Sequence, residues 1–334
     1  MKSINNYIIS IISILIVLSL IEIILRVKGD LPRDSNFKIN KNNEPVVYQE
    51  DSEIGWIHKP GNYTFAPWSK EGKYTNFKVN DDLSRSTYYN YKSNKNNNIF
   101  FIGGSLTQGW AVDDKDNYVS LFQKEFTNYK VKNYGVGGYG GYQSLLLLEK
   151  VIKNTNNLSH VFYGFIPHHE VRNVAAGSWV AFLNKHSRRG HASVPYASID
   201  KAGNLLRYQP SDYLKIHFGN KSSLITKIEK RIMKIRSKRR EVKQVDISKK
   251  IIEEMKNVSE KKGAKFHIIL INKIKEENFN NYNNFFNNKK ISVANCQVPE
   301  GSGFNIIGEG HPNRKAYMIV KNCLSNYFKK IIKN

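Results

Sequence analysis

Residues 96–112 read NNNIFFIGGSLTQGWAV. Four apolar residues, Ile99 to Ile102, run into Gly103 and Gly104, then a serine, then a loop containing Gly109. A short apolar run bounded by turn residues is the pattern of a strand buried on both faces. Glycines at its end let the backbone turn sharply and approach a ligand closely. Ser105 therefore stands at the carboxyl end of a strand, where parallel α/β sheets bind their ligands.

Outward from this stretch the chain alternates. A helix is predicted from Asn117 to Phe126 with Asp116 as its cap, followed by a short strand at Val131 to Asn133 and the glycine run NYGVGGYGGYQ. Ser144 to Ile152 reads as a helix and His160 to Ile166 as another buried strand. The pattern pauses at 171–245 and resumes with a helix over Ile247 to Glu260 and strands at Lys265 to Ile271 and Ser292 to Asn295. A loop containing GEGHPN then leads into a last helix, Asn313 to Lys330. This β-loop-α alternation predicts a parallel sheet covered by helices on both faces. The two halves complete one pattern, so 96–334 reads as one α/β domain carrying a helical and irregular insertion at 171–245. Residues 30–95, rich in Tyr, Asn, Pro and Gly, read as a lead-in of short strands and turns packed on that core.

The amino terminus is apolar from Tyr7 to Val27, about the length that crosses a bilayer as a helix. Its one acid, Glu22, precedes Arg26 by one helical turn, so the two can pair and snorkel toward headgroups. No small-x-small cleavage site follows, which favours residues 1–29 as an uncleaved single-pass anchor over a removed signal peptide. Arg26, Lys28 and Arg33 beyond the span outnumber Lys2 and the terminal amine before it. By charge count alone the larger part would stay inside.

The 334 residues carry 52 Lys and Arg against 28 Asp and Glu, a formal charge of +24. Such a surface attracts anions without choosing among nucleic acid, lipid and acidic glycan. Within 224–240, Leu224, Ile228, Ile232 and Ile235 recur at helical spacing among lysines and arginines. This reads as a surface helix packed on its own domain or one lying on anionic headgroups. With no interleaved aromatics or recognised binding motif, nucleic acid is the weakest reading. Asn-rich runs such as NFNNYNNFFNNKK read as solvated loops. Cys296 and Cys323 lack the spacing of a metal knuckle or redox pair, and a disulfide between them is left open. His168, His169 and Glu170 do not read as a metal site, because adjacent side chains diverge.

A serine hydroxyl needs a base to become a nucleophile. His311, in the loop before the last helix, is the natural candidate, with Glu309 two residues earlier to orient the imidazole. The order serine, acid, histidine, with the last two nearly adjacent, differs from hydrolases that carry G-x-S-x-G in mid-chain.

FFIGGSLTQGWAV, NYGVGGYGGYQ, YGFIPHHEVRN and GEGHPN, in that order and spacing, resemble the four sequence blocks of the SGNH/GDSL hydrolase superfamily. The resemblance covers roughly 97–170 and 246–330. EIGWIHKPG and VNDDLSR also resemble the lead-in of membrane-anchored bacterial members. It implies a flavodoxin-like three-layer sandwich of about five parallel strands, ester chemistry, and no metal or organic cofactor. It places the nucleophile at Ser105, the base at His311 and the acid at Glu309, where the family usually has Asp. The Ser105 amide and Gly138 become oxyanion donors, while Gly104 stands in place of the family's usual non-catalytic Asp. The family's oxyanion Asn falls at His168, with His169 following and Asn173 as an alternative holder of that role.

The reading is a membrane-anchored serine esterase or O-acyltransferase. It would act on ester-linked acyl groups, acetyl foremost, of cell-envelope carbohydrate, with Trp179 and Tyr196 available to stack on sugar rings. The family's extracytoplasmic habit outweighs the charge count and places the catalytic part outside. The rivals are a non-catalytic glycan-binding or assembly protein with a degraded site, and a lysophospholipase-like lipid esterase.

Overall fold

The computed structural model describes residues 2–33, 45–92, 97–186, 192–272 and 276–333. The chain divides into two compact units: Asn42–Ala175, Val194–Pro210 and Arg240–Asn334 in the larger, and Met1–Lys41, Ala176–Ser193 and Ser211–Arg239 in the smaller. The insertion is therefore shared between them.

Helix α1 (Lys2–Val27) comes first, then two antiparallel hairpins, β1 (Tyr48–Asp51) with β2 (Gly55–His58) and β3 (Gly61–Phe65) with β4 (Thr75–Val79). The sheet begins with β5 (Asn98–Gly103), which runs into the one-turn α2 (Ser105–Gln108) and α3 (Tyr118–Glu125). Next come β6 (Lys130–Gly135), α4 (Gly141–Ile152), β7 (Leu158–Phe165), α5 (His169–Asn173) and α6 (Gly177–His186). Strands β8 (Val194–Ile199) and β9 (Leu205–Ser211) pair, and α7 (Ser223–Glu241) and α8 (Gln244–Lys261) follow. The chain ends with β10 (Lys265–Leu270), α9 (Glu276–Asn288), β11 (Ser292–Asn295) and α10 (Arg314–Ile331).

In the larger unit five parallel strands lie in the order β11-β10-β7-β5-β6. Numbered along the chain and read from β6, this is 2-1-3-4-5, the flavodoxin-like arrangement. β5 is buried at every position, as a central parallel strand covered on both faces must be. Its odd-numbered residues Ile99 and Phe101 share a core with Val119 and Phe122 of α3 and Val320, Leu324 and Phe328 of α10. Helices α4 and α8 pack together and against the sheet; right-handed crossovers put them on the opposite face. The β5→β6 and β6→β7 connections leave in opposite directions. Ser105 and the end of β7 therefore flank the point where the strand order reverses, the usual ligand crevice of such sheets.

Two expectations change and one open question closes. Asn117, not Asp116, caps α3 by accepting from Ser120 N at 2.9 Å, while Asp116 accepts from Arg314 Nε at 2.8 Å. The Asn-rich run forms α9 instead of a solvated loop. Tyr282 and Phe286, one turn apart, are buried, Tyr282 against Phe165, while the asparagines between them in sequence face out, and burial of such an apolar face outweighs the weak helix propensity of asparagine. Cys296, just past β11, is disulfide-bonded to Cys323 on α10, with Cα atoms 5.5 Å apart.

Four histidines of this unit are buried and held neutral. Burial pushes His58 and His160 down to about 4 and His267 to about 3, and holds His169 well below the ordinary value of 6.5. A histidine whose folded pKa is depressed contributes stability above its unfolded pKa. That stability is lost as pH falls, because the unfolded chain then binds more protons. Urea midpoints are expected to be level from pH 8 to 6.5 and to fall from 6.5 toward 4, at most about 1.4 kcal/mol per pH unit for each such histidine. A midpoint that stays constant down to pH 4.5 would show that these side chains already carry their protons in the folded state.

Candidate active site

The site is built on the ends of β5, β6 and β7 and the loop before α10. Ser105 opens α2 directly after β5. Its turn is held from beneath: Asn133 Nδ2 donates to Thr107 O at 3.0 Å and Tyr118 OH donates to Thr107 Oγ1 at 3.2 Å. Arg85, fully buried, clamps the next residues. Its Nη1 donates to Gln108 O at 2.9 Å, its Nη2 to Val112 O at 2.6 Å and its Nε to Asp114 Oδ1 at 2.9 Å. The lead-in motif VNDDLSR thus supplies a cation that fixes the serine-bearing turn. A buried guanidinium with its donors engaged and a carboxylate beside it can be tolerated where a lone one cannot.

Ser105, His311 and Glu309 come together. His311 Nε2 lies 2.9 Å from Ser105 Oγ and its Nδ1 2.7 Å from Glu309 Oε1. The second carboxylate oxygen of Glu309 accepts from His311 N at 2.8 Å, so both oxygens hold the same histidine. The longer side chain of Glu therefore does reach. Glu309 is nearly enclosed, at 10% side-chain exposure, and His311 remains open to a substrate at 30%. The disulfide joins the two ends of the segment that carries both residues.

Gly138 adopts a left-handed φ of 82° in the loop after β6. That loop abuts the nucleophile turn: Val136 N donates to Gly103 O at 3.0 Å, and a Cβ added at Gly104 would fall 3.2 Å from Tyr139 O. The same hypothetical Cβ would fall 2.9 Å from His169 Nε2. Glycine at 104 is thus what lets the imidazole approach the backbone next to Ser105, in the space an Asp side chain would need.

The third block requires a correction. His168 is exposed at the start of α5 and its side chain makes no capping bond. His169 is the residue turned inward: it is fully buried, its Nδ1 lies 2.6 Å from Tyr163 OH, and its Nε2 is buried without a hydrogen-bond partner. The β7 end dictates this. The Ile166–Pro167 turn, closed by His169 N donating to Ile166 O at 3.0 Å, sends position 168 outward and 169 inward. Burial keeps the Tyr163 phenol protonated, well above its usual range. With His169 its only hydrogen-bond partner among the described residues, Tyr163 donates to Nδ1 and leaves the proton on Nε2. Asn173 is committed elsewhere, accepting from Tyr142 N at 2.8 Å and donating to Ser248 Oγ at 2.9 Å, so it caps α4. Glu170 accepts from Tyr282 OH at 3.0 Å.

Sequence reasoning missed Arg172 and Tyr163. Arg172 stands one turn after His169 on α5; its Nη1 donates to Tyr139 O at 3.0 Å and lies 3.5 Å from the Gly104 Cβ position. The i, i+3 spacing could have pointed to it. Nothing in the sequence signals Tyr163. Two expected aromatics are already engaged: Tyr196 lies stacked on Tyr208 at 4.7 Å with the Arg240 guanidinium 4.1 Å from its ring, and Trp179 is stacked on Phe182 at 5.4 Å. Half-buried Trp68 and Trp110 lie near the site by their backbones, while their rings pack on Phe65 and on each other. Trp110 N donates to Ser105 O at 3.0 Å, and a Cβ on Gly308, in the His311 loop, would fall 2.4 Å from Trp68 O.

No protein-family model and no curated protein sequence matches this chain. Solved structures similar to it include a lipolytic protein of the G-D-S-L family from Veillonella parvula DSM 2008, 12% identical with a TM-score of 0.41, covering 70% of this chain and 98% of that one. The psychrotrophic esterase EstA from Pseudoalteromonas sp., in a form inhibited by monoethylphosphonate, is 11% identical with a TM-score of 0.44 over 72% of this chain and all (100%) of its own. TesA is 12% identical with a TM-score of 0.44 over 70% and 98%. These likenesses are faint, and the fold and site of this chain stand on their own geometry.

Proposed function

We propose that the chain is an SGNH/GDSL-type serine enzyme that cleaves or transfers ester-linked acyl groups. The observation that carries this is the unbroken line from Ser105 Oγ through His311 to Glu309, at 2.9 and 2.7 Å. Ser105 Oγ attacks the ester carbonyl carbon as His311 Nε2 takes its proton. The tetrahedral oxygen is held by the amides of Ser105 and Gly138 and by His169 Nε2–H, donors fixed before charge develops. The intermediate collapses by breaking the bond to the alcohol, which leaves with the proton from His311. Water or a sugar hydroxyl then gives its proton to the same nitrogen and attacks the acyl carbon; the bond to Ser105 Oγ breaks as His311 returns that proton to Oγ. Glu309, its oxygens accepting from His311 Nδ1–H and N–H, holds the imidazole in the required tautomer. This arrangement favours catalysis over a non-catalytic binding role.

We read the acyl carrier as cell-envelope carbohydrate, with the site outside the cytoplasm. Helix α1 carries 24 residues, Ile4–Val27, long and apolar enough to cross a bilayer, and it serves as a single-pass anchor. The Cys296–Cys323 bond suits an oxidising compartment. The test compares ester-linked acyl groups on envelope polysaccharide from cells carrying wild type or Ser105→Ala. Fewer acyl groups in the mutant indicate a transferase and more indicate an esterase. Unchanged glycan with altered lysophospholipid content would replace the carbohydrate reading with the lipid one.

A further inference from the structure

Helix α7 is packed the wrong way round for a soluble surface helix. Its buried positions in the smaller unit include Thr226, Glu229 and Met233, whereas Ile228 and Ile235 are 44% and 60% exposed. At about 100° per residue, Leu224, Ile228, Ile232 and Ile235 fall within one quarter of the circumference, roughly opposite that buried face. Leu224 and Ile232 of the same stripe are half-buried, so the stripe packs on its own domain only in part and leaves Ile228 and Ile235 uncovered. Lys227, Arg231, Lys234 and Lys238 border it along one side. An apolar stripe edged by cations, with Ile228 and Ile235 uncovered, is the profile of a helix lying in a membrane interface.

The same unit fixes where that helix begins. Glu22, near the end of α1, caps α7: its carboxylate accepts from Ser223 N at 2.8 Å, Leu224 N at 2.9 Å, Ser222 Oγ at 2.9 Å and Arg26 Nε at 2.7 Å. Arg26 Nη2 donates to Lys221 O at 2.7 Å and Lys227 Nζ to Asp30 at 2.8 Å. A carboxylate with four donors tolerates low polarity, which suits this depth. The about 20 residues from Tyr7 to Arg26 rise about 30 Å as a helix, the thickness of the hydrocarbon core, so Arg26 sits at its edge. Hydrogen bonding to Glu22 and Arg26 then sets the first turn of α7 at headgroup level. A cavity of about 620 Å³ opens there, lined by Arg33, Lys215, His217, Phe218 and Lys221.

We infer that α7 rests in the headgroup layer of the membrane spanned by α1, with its apolar stripe at the acyl boundary and its cations on the phosphates of anionic phospholipid. This goes beyond the catalytic reading and does not depend on it. The experiment uses full-length protein carrying Ile228→Cys or Ile235→Cys with an environment-sensitive fluorophore, the native cysteines being disulfide-bonded. Ile319→Cys on α10, a comparably exposed position at 43%, serves as control. The protein is placed in vesicles of phosphatidylcholine alone or with one quarter phosphatidylglycerol, each with acyl-chain spin labels. Quenching at 228 and 235 is expected to exceed that at 319 several-fold in the anionic vesicles. Arg231→Gln, Lys234→Gln and Lys238→Gln combined should reduce it toward the neutral-vesicle level. Absence of lipid quenching in the anionic vesicles, or quenching no stronger than in phosphatidylcholine, overturns the inference. So does shielding without quencher access that grows with protein density, the mark of a second copy.

Discussion

Ser105→Ala and His311→Ala are each expected to lower turnover of an activated acetyl ester by a factor on the order of 10⁴ or more. The magnitude follows from the geometry. Among the described residues the base hydrogen-bonded to Ser105 Oγ is His311 Nε2 at 2.9 Å, so removing either partner leaves the oxyanion donors without an activated nucleophile to serve. The two losses should not add, because serine and histidine act as one unit. Glu309→Gln is expected to lower turnover by about 10³ to 10⁴ while leaving KM nearly unchanged, since an amide cannot hold the charged imidazole as a carboxylate does. A fluorophosphonate probe should label wild type and neither Ser105→Ala nor His311→Ala. Equal labelling of all three would remove Ser105 from the mechanism.

The sheet was legible because buried parallel strands leave continuous apolar runs between glycine-rich turns, as in Ile99 to Ile102, and because strand and helix alternate in a pattern with few topological solutions. Ser105, Glu309 and His311 were legible for a related reason: each lies in a short motif at the end of a strand or the start of a helix. What escaped notice depends on side chains distant in sequence. Arg85 serves the nucleophile turn from 20 or more residues away, and nothing in VNDDLSR says which carbonyls it will meet. The α9 helix was hidden by asparagines whose propensity is overruled by burial of Tyr282 and Phe286. In α7 the periodicity located the apolar positions and left open what covers them. Periodicity locates a stripe on a helix but does not say whether protein or another medium covers it.

The choice between His168 and His169 shows the same limit at the scale of one residue, and it sets the second large effect. Two adjacent histidines at a strand end face opposite ways, and the turn at Ile166–Pro167 decides which is turned inward. His169→Ala is expected to lower kcat by a factor of about 10² to 10³ with little change in KM, the usual cost of losing one oxyanion donor. His168→Ala should stay near wild type, because its side chain is exposed. Tyr163→Phe separates a donor from a filler: the ring still packs on His169 at 5.6 Å, but Nδ1 loses the hydroxyl that fixes the tautomer. Some of the imidazole then carries its proton on Nδ1 and presents a bare lone pair to the developing oxyanion. The expected result is a several-fold fall in kcat without loss of folding. His169→Asn, which restores a side-chain N–H at the same position, should recover part of the rate lost in His169→Ala. Gly104→Ala tests the same contact from the other side, since its methyl group would meet Nε2 at 2.9 Å and displace it, lowering kcat while Ser105 and His311 remain in place. If His169→Ala keeps full turnover and His168→Ala does not, the outward residue moves inward when substrate binds, and the donor must be reassigned to it.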